Sequence, residues 1–161
     1  MGGGTLAAPA TSNYNTAVQL YSGKQFAAAE RSFRAAIKQN SKDAQSLNML
    51  AYALVEQKKL YEALKTAKLA LKYAPGEANI MDTVGDMHQR RKEWKPAAEF
   101  YEKALERMPY ASAGQTHEKY AETLLQLGKK DEAITHFRQA LRDTREWGRK
   151  ARAKLNAMGV Q

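Results

Sequence analysis

The sequence predicts an all-α fold built as a solenoid of stacked antiparallel helix pairs, and three observations support that prediction. The 161 residues include 28 alanines against ten glycines and four prolines; Ala is the strongest helix former, and Gly and Pro are the weakest. The sequence also repeats itself. QFAAAERSFRAAI (25–37) aligns with KLYEALKTAKLAL (59–71), EWKPAAEFYEKAL (93–105) and KKDEAITHFRQAL (129–141), at successive offsets of 34, 34 and 36 residues. Finally, small residues keep strict register. Ala29, Ala63, Ala97 and Ala133 share one position, Ala36, Ala70, Ala104 and Ala140 a second, and Ala17, Ala51, Gly85 and Ala121 a third. Two helices interlock closely only where one side chain per crossing is nearly absent.

Taken in order, each unit justifies two helices. Residues 11–43 are split by Ser22-Gly23-Lys24, and Phe33 and Ile37 supply bulk around the small positions. Residues 44–77 open on Asp43, an N-cap candidate, turn at Gln57-Lys58-Lys59 and stop at Pro75-Gly76. Residues 78–111 turn at Arg91-Lys92-Glu93, carry Pro96 in the next first turn, and end at Met108-Pro109. Residues 112–145 open on Ser112-Ala113-Gly114-Gln115, which fits a capping box, and turn at Leu127-Gly128-Lys129. The two extra residues of the last offset fall around Tyr110 to Ala113. Leu20, Leu54, His88 and Leu124 share an inter-helix slot. Trp147, Ala151, Leu155 and Met158 then form one apolar stripe, predicting a capping helix over 146–158 with Gly148 close to its start.

Composition excludes several chemistries. Without cysteine there is no disulfide framework, thiolate metal site or Cys nucleophile. His88, His117 and His136 show no metal-binding spacing, and His88 is expected as a satisfied, partly buried residue at a Leu slot. No nucleophile elbow, phosphate loop or paired-carboxylate frame occurs, so no enzyme activity, catalytic residue, metal or cofactor is expected. Met1–Ala10 (MGGGTLAAPA) lacks the basic and apolar regions of a secretory signal, and Leu6 stands where myristoylation would want Ser or Thr. It is expected to be a flexible leader. The composition suits either cytoplasm or periplasm.

The period, the Ala/Gly register, the bulky slots (Phe33, Tyr101, Phe137) and the terminal prolines together resemble the tetratricopeptide repeat (TPR) over residues 11–145. The outer units depart from the pattern, with Asn13 and His117 at the bulky opening slot and no terminal Pro. The resemblance implies a right-handed superhelix whose first helices line a concave groove for a partner. Near-consensus repeats of this kind are common in bacteria. Carried over residue by residue, the groove positions are Tyr14, Val18 and Tyr21; Gln45, Asn48, Tyr52 and Val55; Asn79, Asp82, Asp86 and Gln89; and Gln115, Glu118, Glu122 and Leu125. The first half is rich in tyrosine and amide, and the second holds four carboxylates, which predicts a protein or peptide partner with a basic segment near Asp82, Asp86, Glu118 and Glu122. The cationic clamp with which some members hold acidic tails is missing, because its sites carry Tyr14, Val18, Met49, Asn79 and Thr83.

The net charge is +9, and the cations crowd the second helices: Arg31, Arg34, Lys38 and Lys42, then Lys65, Lys68 and Lys72. Residues 142–154 add six basic and two acidic residues. Two alternatives therefore stand beside a binding module. One is self-assembly into a homo-oligomer through the ends of the array. The other is contact with an anionic membrane surface or nucleic acid, where nucleic acid is disfavoured because only Trp147 offers an aromatic ring beside the cations.

Overall fold

A computed structural model of the chain describes residues 8–109, 113–143 and 146–160. The expected leader up to residue 7, the insertion at 110–112 and a cap at Ser112 lie outside the described residues. Within them there are nine helices and no strand, and no helix is long and apolar enough to cross a membrane. The chain forms two compact units, one up to Pro75 and one from Gly76.

The first unit holds α1 (Ala8–Ser22), α2 (Phe26–Gln39), α3 (Ala44–Glu56) and α4 (Leu60–Tyr73). Helix α1 packs on α2, α2 on α3, and α3 on α4. Helix α1 starts within the stretch expected as a leader; Pro9 stands in its first turn, where no intrahelical N–H bond is required. The second unit holds α5 (Ala78–Arg90), α6 (Trp94–Leu105), α7 (Gly114–Gln126), α8 (Lys130–Ala140) and α9 (Glu146–Ala157). Here α5 pairs with α6 and α7 with α8, α6 packs on α7, and α9 lies against both α7 and α8.

The small-residue register forms the seam of every pair. Its alanines, Ala17, Ala29, Ala36, Ala51, Ala63, Ala70, Ala97, Ala104, Ala121, Ala133 and Ala140, are all 0 % exposed. Gly85 replaces Ala where Tyr101 crosses, since a Cβ there would lie 2.9 Å from the Tyr101 ring. The extra bulk of Tyr101 has a second consequence: its hydroxyl reaches Gln89 Oε1 at 3.2 Å. Phe33 and Phe137 fill the same slot in their own pairs and are fully buried.

Each pair turns on the same device. The N–H groups of Gln25, Lys59, Glu93 and Lys129 donate to the carbonyls of Leu20, Leu54, His88 and Leu124 at 2.8–3.0 Å, the six-to-one bond that closes a helix C-terminus. The preceding residue is left-handed: Lys24 (φ 58°), Lys58 (φ 62°), Lys92 (φ 61°) and Gly128 (φ 75°). Only the last turn uses the residue that adopts this conformation without a steric penalty. At the start of α3, Asp43 accepts from the N–H groups of Gln45 and Ser46, both at 3.1 Å. By contrast, α7 begins at Gly114 after Ala113, with no side-chain cap from that residue.

Candidate partner-binding faces

In the first unit the candidate residues lie on α1 and α3. Gln45 Nε2 donates to the Tyr14 hydroxyl at 3.3 Å, so the two helices share one polar contact. The Tyr14 ring meets Phe33 edge-on at 6.0 Å, and Tyr21 meets Phe26 at 5.4 Å. Half-buried, with their ring bodies seated on the core, both tyrosines present a preformed surface. Val18 and Tyr52 are also half-buried, whereas Val55 is buried. Asn48 is buried, and its Oδ1 has no hydrogen-bond partner, an arrangement that costs about 1–3 kcal/mol.

In the second unit the candidates lie on α5 and α7, and three of their four carboxylates hold a cation. Asp82 accepts from Thr116 Oγ1 at 2.8 Å and from Lys119 Nζ at 3.0 Å. Asp86 pairs with Arg90 at 3.2 Å, and Glu122 with Lys154 of α9 at 2.9 Å. Glu118 is 5 % exposed; burial, reinforced by the charge of Glu122, pushes its carboxyl up to about 6 against the pull of Lys150, Lys154 and Lys119. Gln89 donates to the Lys119 carbonyl and to Thr123 Oγ1 at 3.1 and 3.0 Å, tying α5 to α7. Asn79 is exposed and Gln115 half-buried, each near the start of its helix.

These carboxylates differ in kind. The Asp82–Lys119 side chains are only 10 % and 12 % exposed, and opening a buried pair costs about 3–5 kcal/mol because a charge is stranded. The Glu122–Lys154 side chains are 36 % and 49 % exposed, and such pairs contribute about 0–1 kcal/mol. Asp82 is therefore a tie between helices, while Glu122 can exchange its cation.

Asp86, Gln89, Glu122 and Leu125 do come together. They line a cleft of about 410 Å³ with Arg90, Trp94, Gln126 and Lys154. Sequence reasoning missed the last four as site residues. Only the placement of α9 against α7 brings Lys154 in. Sequence reasoning also missed a contact between histidines 19 residues apart: His117 Nδ1 lies 2.9 Å from His136 Nδ1, with the Tyr120 ring tilted against His136 at 4.5 Å. Among the described residues no three His or carboxylate groups could hold a metal ion.

Family profiles of the tetratricopeptide repeat match residues 14–78 and 114–142. The chain is a tetratricopeptide-repeat protein. No curated protein matches it. Among solved structures, this TPR chain is similar to MamA 41-end from Desulfovibrio magneticus RS-1, at 16 % identity, 83 % coverage of this chain, 74 % of that chain and a TM-score of 0.73. A crystal structure of the MamA protein matches at 13 % identity, 94 % and 83 % coverage, and a TM-score of 0.74. At such identities the likeness establishes the TPR fold. That fold is a protein-interaction scaffold and is typically non-catalytic.

Proposed function

We propose that this TPR chain is a non-catalytic adaptor that holds a segment of a partner protein against the first helices of its repeats. The observation that carries the proposal is the α5–α7–α9 cleft, where Asp86, Gln89 and Glu122 surround the apolar walls of Leu125 and Trp94. The matching partner segment carries an apolar anchor for those walls and a cation that displaces Lys154 from Glu122. The displacement costs little, because the exposed pair contributes little. On the first unit, Tyr14, Val18, Tyr21, Gln45, Asn48 and Tyr52 offer a second face suited to an extended backbone, with amides that both donate and accept and tyrosines that lose little entropy on contact.

The test is affinity capture from the native source with wild type beside Glu122→Lys/Leu125→Asp and Asn48→Ala/Gln45→Ala. A protein held by wild type and lost with either variant supports the adaptor. Equal capture by all three would remove both faces from the function.

A further inference from the structure

The exposed large apolar side chains among the described residues share one helix. Tyr61 is 74 % exposed, and Leu69 and Tyr73 are 37 % and 36 % exposed; all three stand on α4. Lys65, Lys68 and Lys72 lie on the same side of that helix, opposite the buried stripe of Ala63, Ala67 and Ala70. No carboxylate pairs with these lysines among the described residues, and the reason is local. The only acids of α2 and α4 are Glu30 and Glu62. Glu30 is held by Arg34 and Lys59, both at 2.8 Å, and Glu62 by Arg34. Arg31 and Lys38 of α2 are also exposed. Residues 1–75 accordingly carry net +6 of the chain's +9.

From this we infer that the outer side of α4 is a docking surface for an anionic lipid bilayer. Its composition suits a headgroup layer. Three ammonium groups on flexible stems meet diffuse negative charge, while Tyr61, Leu69 and Tyr73 supply rings and apolar bulk at interfacial depth. Nothing on α4 provides the planar guanidinium fork that favours defined phosphate contacts. The sequence reading offered only Trp147 as an aromatic beside the cations; the structure leaves Tyr61 and Tyr73 exposed at the two ends of the lysine run.

The experiment is co-sedimentation of the full chain with phosphatidylcholine vesicles, with and without roughly 30 mol % phosphatidylserine, at about 0.1 M salt. Wild type is expected to bind only the anionic vesicles. Lys65→Gln/Lys68→Gln/Lys72→Gln should weaken binding on the order of a hundredfold, and Tyr61→Ser/Leu69→Ser/Tyr73→Ser should abolish the part that survives raised salt. Arg142→Gln/Arg149→Gln/Arg152→Gln, which removes equal charge elsewhere, should bind like wild type. All nine positions are exposed, so circular dichroism should stay unchanged. Three results would overturn the assignment: no binding to anionic vesicles, equal loss in the control variant, or a single-stranded oligonucleotide that binds the same lysines while vesicles do not.

Discussion

Asn48 shows how a single residue separates function from stability. Its Oδ1 is buried without a partner, so truncation removes a group that weakens the fold. Asn48→Ala should leave the melting temperature unchanged or raise it, whereas loss of a satisfied buried amide would lower it. The left-handed lysines make the same point for the backbone. Lys58→Gly should stabilise the chain by up to about 1 kcal/mol by relieving its positive φ, and Gly128→Ala should destabilise it by a similar amount, both read from urea midpoints. The turn positions were legible as polar breaks in the sequence, but their handedness was not, because three of the four carry lysine where glycine would have signalled it.

The titrating residues of α7 and α8 add a pH dependence. Burial, with the charge of His136, lowers His117 from 6.5 to about 4, and burial lowers His136 as well. A histidine kept neutral in the fold takes up a proton more readily when unfolded. Its contribution is therefore complete above pH 6.5 and is lost as the pH falls toward 4. Glu118 acts oppositely: its raised carboxyl favours the fold below pH 4.5, and that benefit is lost as the pH rises through about 6. Glu118→Gln should thus raise the urea midpoint at neutral pH and change it little near pH 4. His117→Gln/His136→Gln should flatten the decline between pH 6.5 and 4.

At the scale of the element, α9 was predicted over 146–158 from its apolar stripe, and the structure forms it over Glu146–Ala157. Gly148, a poor helix former close to its start, is required by packing. A Cβ there would overlap the Asp143 carbonyl oxygen. Gly148→Ala should loosen α9 and expose Ala151 and Leu155, seen as faster amide exchange in α9 with α1 to α4 unchanged. The cleft would lose Lys154 in the same variant. What the helix covers could not be read from its own stripe, because an amphipathic pattern reports that a face is buried without naming its neighbour.

For the whole molecule, arrays of repeats gain stability mainly from nearest neighbours. Phe137→Ala removes a fully buried ring of the second unit and should cost about 3–5 kcal/mol. Hydrogen exchange should locate the lost protection in α7 to α9, with α1 and α2 the least affected. Uniform loss along the chain would contradict a nearest-neighbour array.

The sequence by itself determined the helix pairs, their period and the buried seam, since close helix approach demands small residues at fixed spacing and leaves that demand visible along the chain. Tertiary structure alone decided which charges are free. Asp82, Asp86, Glu118 and Glu122 read as an open acidic face, yet Asp82, Asp86 and Glu122 each find a cation across a helix turn or on a neighbouring helix, and Glu118 is buried. Lys65, Lys68 and Lys72 read as one solvated stretch among several, yet they stand unmatched beside exposed rings. Electrostatic partners are set by distances of a few ångströms between segments 30 or more residues apart, as with Glu122 and Lys154, and no local pattern encodes those distances.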